Sequence, residues 1–360
     1  MTQRERQVLQ LIEKNPLISQ QEIADALGIT RSSAAVHISN LSRKGLIAGR
    51  GYVLRSGSYA VVVGGVNVDI GGRSFEPLVA ADSNPGRVTM SFGGVGRNIA
   101  HNLSLLGTDV RLLTAYGDDA YGAQVAASCS ELGIDLSHAL RTSEAPTSTY
   151  VYLADNLGEM ALAVSDMSVC ERITPAYLAS QLPLLQNAQV VVADTNAPKE
   201  SLEFLAQNCN VPLFVDPVST AKAEKIRDIL PKIHTLKPNA LEAALLTGVE
   251  IHNTEDAKKA AKKLLSMGVH RVFISMGSSG VCAARGEECV VLPPVPGNRI
   301  NTTGCGDAFM AALTWAYLEG MDLEHTALAG LAAGSIAMES SETINPALCA
   351  AAVKKRMEQR

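Results

Sequence analysis

Five short, continuous apolar runs constrain the fold of this chain more than any other feature. They occur at residues 59–65, 110–115, 190–194, 213–216 and 271–276. Strands without polar alternation are buried on both faces, which is typical of parallel sheets covered by helices. Segments with helical periodicity lie between these runs, at residues 95–106, 119–132, 200–207, 239–247 and 254–267. The alternation predicts an α/β fold with a doubly wound, mostly parallel sheet.

Two segments interrupt this rhythm, residues 71–92 and 143–166. Their patterns alternate or are irregular, so we expect them to pair into a small β-sheet that stands off the core as a lid. Several of the core strands end in polar residues, namely Asp69, Asp194, Asp216 and Ser275. Ligands of α/β folds bind at the carboxyl ends of the strands, so we expect a ligand site at this edge.

The first 55 residues have a different pattern. Residues 3–14 form an apolar helical stripe, Ser19 and Glu22 predict a capping box for a second helix, and Thr30 precedes a third helix. Residues 45–54 read as a short hairpin. This plan resembles the winged helix-turn-helix domains of bacterial regulators. We therefore predict a winged helix-turn-helix domain at residues 1–55, a linker at 56–59, and a second domain at 60–360.

The resemblance implies DNA binding by the front module. Residues 1–56 carry eight Lys or Arg against four Asp or Glu, a net charge of +4, whereas the whole chain carries −5. The third helix of such domains enters the major groove and the wing touches the backbone. The residues expected to face bases are Arg31, Ser32, Ser33 and His37, and those expected to face phosphates are Arg43, Lys44 and Arg50. The alternative is a module used only for protein contacts.

Composition excludes several other classes of protein. The N-terminus lacks an apolar signal segment, and no run of 18 uncharged apolar residues exists, so we expect a cytoplasmic protein without a membrane partner. The seven cysteines are scattered and form no C-x-x-C pair. This predicts free thiols in place of disulfides or a zinc site.

The strongest chemical motif is the run from Asn301 to Asp307, Asn-Thr-Thr-Gly-Cys-Gly-Asp, which opens an alanine-rich helix. Glycines let a backbone approach a ligand closely, and the N–H groups of a helix N-terminus form an anion site. An Asp in that first turn can accept a proton from a substrate hydroxyl. By itself the motif is equally consistent with Asp307 as a simple helix cap.

This motif resembles the signature of the ribokinase family of carbohydrate and nucleoside kinases, which implies a ribokinase-like fold. The resemblance implies that Asp307 is the catalytic base and that Gly304, Cys305 and Gly306 form the anion hole. Thr303, Gly304 and Gly306 would also contact ATP. The sequence departs from the family at Asn301, usually Asp, and at Cys305, usually Ala. The first departure bears on a bound monovalent cation such as K⁺, which the family's pattern suggests.

Three further motifs match the family in the same order along the chain. Asn67 and Asp69, with Gly93, Gly94 and Asn98, are similar to its substrate-binding residues. Asn239 and Glu242 resemble the pair that holds Mg²⁺ through waters, and Asn239, Ser275, Gly277 and Gly280 correspond to its ATP site. Taken singly, Asp69 is more often a turn carboxylate, and Asn239 with Glu242 is usually a solvated face or a capping pair.

Residues 81–86 and 165–168 of the lid segments, together with residues 215–219 and 234–239, resemble bacterial pseudouridine kinases, which implies phosphorylation of a nucleoside 5′-hydroxyl. The candidates for base and ribose contacts are Asp82, Asn84, Thr147, Tyr150, Asp166 and Lys237. Inosine, guanosine or a sugar remain alternative substrates, and Arg97 is the one candidate to hold a second phosphate. A transcription regulator that uses the kinase fold as a ligand sensor is the alternative class of function. We also expect a homodimer.

Overall fold

The computed structural model describes residues 1–15, 18–47 and 59–359. The chain divides into two compact units, Met1–Ser58 and Tyr59–Arg360. Most of the predicted hairpin, with Arg50, and nearly all of the predicted linker lie outside the described residues.

The front unit contains three helices, α1 (Gln3–Lys14), α2 (Gln20–Leu27) and α3 (Arg31–Arg43). The predicted capping box between Ser19 and Glu22 is present, and α2 ends at Gly28 in the left-handed conformation, at φ 61°. Val8, Ile12, Ile23 and Leu41 are fully or almost fully buried together. Apolar residues from all three helices therefore form one small core, as in a helix-turn-helix domain.

The large unit is built on a nine-stranded sheet with the order β15-β14-β13-β12-β11-β10-β1-β4-β6. All neighbouring strands are parallel except β13–β14 and β14–β15. The strands of this sheet are β1 (Tyr59–Val63), β4 (Asp109–Leu113), β6 (Ile134–Asp135), β10 (Val190–Asp194), β11 (Leu213–Asp216), β12 (Thr235–Leu236), β13 (Arg271–Ser275), β14 (Val281–Arg285) and β15 (Glu288–Leu292). A two-stranded pair adds β5 (Ala115–Gly117) and β7 (Leu140–Thr142). The predicted mostly parallel sheet is confirmed.

Helices cover both faces of this sheet, because apolar clusters form on either side of it. They are α4 (Val95–Leu105), α5 (Ala120–Glu131), α6 (Pro175–Ser180), α7 (Leu182–Asn187), α8 (Lys199–Asn208), α9 (Thr220–Ala223), α10 (Ala240–Thr247), α11 (Thr254–Ser266), α12 (Cys305–Leu318), α13 (Leu323–Ala337) and α14 (Ala350–Met357), and short 3₁₀ segments lie at Ser168–Arg172, Glu224–Lys232 and Gly277–Ser279. None of the helices within the described ranges has both the length and the hydropathy needed to cross a bilayer.

The two interrupting segments form a separate four-stranded sheet with the order β3-β2-β8-β9, as predicted for the lid. Its strands are β2 (Asn67–Ser74), β3 (Gly86–Gly93), β8 (Thr149–Ala154) and β9 (Met160–Asp166). Side chains alternate between the two faces of a strand, so the register assigns each residue to one face. One face, which we call the apolar lid face, carries the exposed side chains of Val88, Met90, Val151, Leu153, Leu162 and Val164. The opposite face of the same sheet, on which the Asp69 side chain lies, is called the polar lid face.

Candidate functional site

Asp307 lies in the first turn of α12, at the carboxyl edge of the sheet. Gly304 precedes the helix at φ 82°, and a Cβ there would come within 2.1 Å of the Thr343 carbonyl oxygen, so only glycine fits. The Asp307 carboxylate accepts a hydrogen bond from Asn98 Nδ2 at 2.8 Å. Burial, reinforced by the nearby Asp216 carboxylate, raises the pKa of Asp307 to about 7. Its side chain is therefore held across the site by α4 and retains basicity near neutral pH.

Lys237 lies beside the same helix start. Its Nζ is 3.1 Å from Asp216 Oδ2, and both side chains are almost fully buried. Burial alone lowers the pKa of Lys237, but the Asp216 and Glu242 carboxylates outweigh it and raise this pKa above its usual value. A Cβ built on Gly306 would lie 3.6 Å from the Lys237 ammonium. Lys237 thus adds a positive charge to the predicted anion hole, and this placement replaces the predicted contact with the base or ribose.

Asp194 is a buried acid that the sequence placed at a strand end without a role. It accepts hydrogen bonds from the backbone N–H groups of Gly65, at 3.0 Å, and Asn196, at 2.7 Å. Burial raises its pKa to about 6. A Cβ on Gly64 would lie 2.2 Å from the Asp194 carboxylate. Asp194 therefore fixes the turn after β1, and the apolar run ending in Gly64-Gly65 was the available signal for that turn.

Asp69 forms a second acidic position, next to the start of α4. Asn67 Nδ2 donates to Asp69 Oδ1 at 2.7 Å. A Cβ on Gly93 would lie 2.1 Å from Asp69 Oδ2, and a Cβ on Gly94, where φ is 95°, would lie 2.5 Å from the Gly65 carbonyl oxygen. Burial raises the pKa of Asp69, although Asn67 opposes the shift. The two glycines thus leave room for this carboxylate and for the entry into α4.

Asn98 and Arg97 are neighbours on α4 with different environments. Asn98 Oδ1 is buried and has no hydrogen-bond partner among the described residues. Arg97 is also buried, and its guanidinium donates to the Phe92 carbonyl oxygen at 3.0 Å and to Ser128 Oγ at 2.8 Å. Arg97 therefore links β3 to α5, and it is not free to hold a substrate phosphate as considered from the sequence.

Two adjoining cavities open beside Asp307. The larger, of about 790 Å³, is lined by Lys237, Ser275, Gly277, Gly280, Thr302, Cys305 and Gly306 among others. The smaller, of about 360 Å³, shares Ser275 and Gly277 and adds Asn239. Thr303, predicted to contact ATP, is exposed and not among the lining residues, because its N–H is turned to Asn301 Oδ1 at 3.0 Å. Its neighbour Thr302 takes the lining position.

Asn239 and Glu242 form the capping box of α10. Each side chain accepts a hydrogen bond from the other's backbone N–H at 2.9 Å. Burial raises the pKa of Glu242. Within residues 1–15, 18–47 and 59–359, no three acidic, His or Cys side chains converge as metal ligands. The pair thus fits Mg²⁺ held through water, which this ion retains readily, better than a direct carboxylate cage.

Of the five other residues predicted to contact the base or ribose, four are engaged elsewhere in the protein, and Tyr150 lies on the polar lid face. Thr147 is buried and donates to Asp119 Oδ1 at 2.7 Å, so it packs against α5 and does not line the site. Asn84 bonds the backbone of Val79, and Asp82 accepts from the Ser83 N–H, so both shape the exposed loop before β3. The two remaining residues lie on β8 and β9, where Tyr150 donates to the Met160 sulfur and Asp166 accepts from the Ser168 N–H. Tyr150 lies opposite Asp69 on the polar lid face, which is the placement the prediction needs.

Some of the predicted DNA-binding residues are exposed, and others are partly buried or bonded within the front unit. Arg31 and Ser32 are exposed at the start of α3, whereas Ser33 lies partly buried beside the Thr30 cap. His37 Nδ1 is buried and finds no hydrogen-bond partner in the part of the chain that the structure describes. Lys44 instead forms an ion pair with the buried Glu5, with Nζ–Oε2 at 2.7 Å. The Lys44 side chain is still 45% exposed, so its phosphate contact stays a prediction, and Arg43 bonds Asn40.

Comparison with known proteins agrees with this geometry. Residues 58–349 match the pfkB family of carbohydrate kinases, and residues 1–48 match a winged helix-turn-helix DNA-binding family. An uncharacterised sugar kinase of Escherichia coli, YeiI, is 40% identical over 97% of both chains. The pseudouridine kinase of the same organism is 41% identical over 85% of this chain and 98% of its own.

Solved structures agree with the fold. A carbohydrate kinase from Agrobacterium tumefaciens superposes with a TM-score of 0.76 at 28% identity, over 84% of this chain and 98% of that one. The ribokinase of Thermotoga maritima gives 0.75 at 23% identity, over 84% and 100%, and shows the fold alone. The chain belongs to the pfkB family of carbohydrate kinases, as a phosphotransferase that acts on an alcohol group of a sugar or nucleoside and carries a winged helix-turn-helix domain at its front.

Proposed function

We propose that this protein phosphorylates the 5′-hydroxyl of a nucleoside with ATP, and that pseudouridine is its substrate. One observation carries the proposal: the Asp307 carboxylate, with its pKa raised to about 7, lies at the start of α12 beside a cavity of about 790 Å³. A general base works best when its pKa is close to the working pH. In this reading Asp307 removes the proton of the attacking hydroxyl.

The start of α12 supplies the electrostatic part of the reaction. In the proposed mechanism the N–H groups of Gly304, Cys305 and Gly306 point toward the transferred phosphoryl group, where negative charge accumulates. Lys237 adds a full positive charge next to Gly306. Asp216 holds Lys237 in place and keeps it protonated. Phosphoryl transfer depends mainly on positioning and charge stabilisation, so this arrangement suits it.

The two adjoining cavities are the proposed ATP site. Gly277, at φ 56°, has no atom near the position of a Cβ, whereas a Cβ on Gly280 would lie 1.9 Å from the Leu292 carbonyl oxygen. The loop after β13 thus keeps its shape through Gly280 and leaves Gly277 open to a ligand. Mg²⁺ would be held through waters by Asn239 and Glu242 and would neutralise phosphate charge. The Asn301 side chain is hydrogen-bonded to Thr303 and Ser341. K⁺ binding therefore stays a prediction.

The acceptor side favours an uncharged nucleoside. Asp69, which accepts a hydrogen bond from Asn67, and Asn98, which donates to Asp307, are proposed to lie against the ribose hydroxyls. The Arg97 guanidinium is hydrogen-bonded within the protein, so α4 presents no cation to a phosphate near Asp69. Pseudouridine is supported by the 41% identity to the Escherichia coli pseudouridine kinase. Guanosine or inosine is the alternative, because a guanosine-inosine kinase of Exiguobacterium acetylicum is 26% identical over 290 residues.

A panel of nucleosides and sugars assayed with MgATP tests the proposal. We expect turnover with pseudouridine, and loss of several orders of magnitude in kcat for Asp307→Asn. Asp228→Asn makes the same chemical change at an exposed site and should leave the rate unchanged. Near wild-type turnover by Asp307→Asn would refute the role of this residue. A clear preference for inosine, guanosine or a sugar would refute the substrate.

We also propose that the front unit binds DNA, since its residues 1–48 match a DNA-binding family. Arg31 and Arg43 are exposed cations at the two ends of α3. Replacing both by Ala should weaken binding to DNA from upstream of the gene, measured by fluorescence anisotropy at low salt. The double variant Arg4→Ala/Lys14→Ala on α1 is the control with equal charge. Equal binding by the two variants would leave the unit as a protein-contact module.

The apolar lid face supports a homodimer through the lid. It presents six exposed apolar side chains on a single face of four paired strands, and such patches mark interfaces in soluble proteins. A second copy of the same face is a matching occupant. Leu162→Glu should halve the mass measured by light scattering, whereas Ala163→Glu, on the polar lid face, should not. A dimer that survives Leu162→Glu would place the interface elsewhere.

A further inference from the structure

We propose that the far end of the polar lid face is a binding site for a phosphate group. The site is a cavity of about 520 Å³, separate from those next to Asp307, which is lined in part by Arg73, Arg87, Tyr152 and Asn156. It lies four residues beyond Asp69 along β2. At about 3.3 Å per residue in a strand, this is roughly 13 Å from that carboxylate.

Two arginines face each other in this cavity. Arg73 and Arg87 are directly paired across the antiparallel strands β2 and β3, so their side chains leave the same face. Like charges directly opposite each other destabilise a sheet. Neither residue takes part in an ion pair within the described part of the chain. The fold therefore keeps two adjacent cations without a carboxylate to offset them.

The cavity contains several hydrogen-bond donors that have no acceptor among the described residues. Arg73 donates to the Asn156 carbonyl oxygen at 2.7 Å, which leaves its other N–H groups free. In the described residues, the Arg87 guanidinium and the Tyr152 hydroxyl have no hydrogen-bond partner. The Tyr152 ring lies across Gly71, where a Cβ would come within 2.4 Å of the phenol oxygen. No Asp or Glu lines the cavity.

This chemistry selects an anion with several acceptor oxygens. Paired guanidinium groups and a phenol match the tetrahedral oxygens of a phosphate, and bidentate arginine contacts are the strong ones. A carboxylate offers fewer oxygens to three convergent donors. The phosphate can belong to free inorganic phosphate or to a nucleoside monophosphate, which shares this group. The exposed Phe75 ring at the rim offers a flat surface for a base in the second case.

Calorimetric titration of the full chain tests the site, at constant ionic strength, with inorganic phosphate and with uridine 5′-monophosphate as probes. We expect Arg73→Ala and Arg87→Ala each to weaken binding at least tenfold, and Arg87→Lys to restore part of it. Arg285→Ala removes a charge of the same kind on β14 and should have no effect. Equal affinity for both probes assigns free phosphate, and tighter binding of the nucleotide assigns a nucleoside monophosphate.

A thermal scan without phosphate separates binding from folding. Because the like-charge pair destabilises the lid, Arg87→Ala should unfold at the same or a higher temperature than the wild type. Absence of binding by the wild-type chain, or binding by the Arg73→Ala/Arg87→Ala double variant that matches the wild type, would overturn the proposal. A loss of binding that accompanies a lower unfolding temperature in both single variants would also overturn it, since the arginines would then be structural.

Discussion

The pH dependence of the reaction is the most direct test of the proposed base. With a pKa of about 7, Asp307 is roughly nine-tenths ionised at pH 8 and one-tenth ionised at pH 6. The kcat/KM of the wild-type enzyme should therefore fall about tenfold per pH unit below 7, where an Asp at its usual pKa near 4 would give a flat profile. Stopped assays with pseudouridine from pH 5 to 9 measure this fall in kcat/KM, which is the acidic limb of the pH profile.

Two substitutions should move the limb in opposite directions. Asn98→Ala removes a hydrogen bond to the carboxylate, and such bonds contribute about 1.5–3 kcal/mol, so the limb should move up by about one to two pH units. Asp216→Asn removes a neighbouring negative charge and frees Lys237 to act on Asp307, so the limb should move down. Both variants will be slower, but only the position of the limb matters here. A limb that stays in place in both variants, or that moves in the reverse order, would refute the assignment of Asp307 as the titrating base.

The remaining predictions concern stability and fit at the site. The raised pKa of Asp307 means that its ionised form destabilises the fold increasingly from about pH 4 to about 7, so Asp307→Asn should raise the free energy of unfolding, by up to about 4 kcal/mol at pH 8 and by less at pH 5, in urea titrations. Gly93→Ala forces a Cβ against Asp69 and should raise KM for the nucleoside at least tenfold with little change in KM for ATP. Gly304→Ala clashes with the Thr343 backbone and should lower kcat, measured beside Gly248→Ala, where a Cβ meets no atom within 4 Å.

The parallel sheet was predictable because its strands are continuous apolar runs between helical segments. Val190–Asp194 and Leu213–Asp216, for example, are buried at every position, which requires helices on both faces. The motif around Asp307 was visible as well, because Gly304 and Gly306 stand next to this residue in the sequence, but by itself the motif fitted a helix cap equally well. Local chemistry of this kind depends on neighbours in sequence, and the sequence displays those neighbours directly.

Pairings between distant residues were not predictable in the same way. Lys237 reads as one more polar residue after a strand, and only the adjacency of β11 and β12 brings it to Asp216. Lys44 reads as a surface cation, yet it meets a glutamate 39 positions away. Thr147 was predicted to contact the base or ribose, and its inward direction instead follows from its hydrogen bond to Asp119 at the start of α5. In each case the type of side chain was visible, and its partner depended on tertiary contacts.

The two arginines of the lid show how strand register brings residues that are distant in sequence to one site. Arg73 and Arg87 are fourteen positions apart, and a shift of one residue in the pairing of β2 with β3 would turn one of them to the apolar lid face. The register that places both on the polar lid face also places Asp69 there and gathers the apolar side chains on the other side. The same strand pairing therefore determines the position of the Asp69 carboxylate that is proposed to bind ribose, the proposed dimer surface and the proposed phosphate site. A single register-shifting insertion in the loop at residues 75–85 should leave the core sheet folded while it disrupts all three.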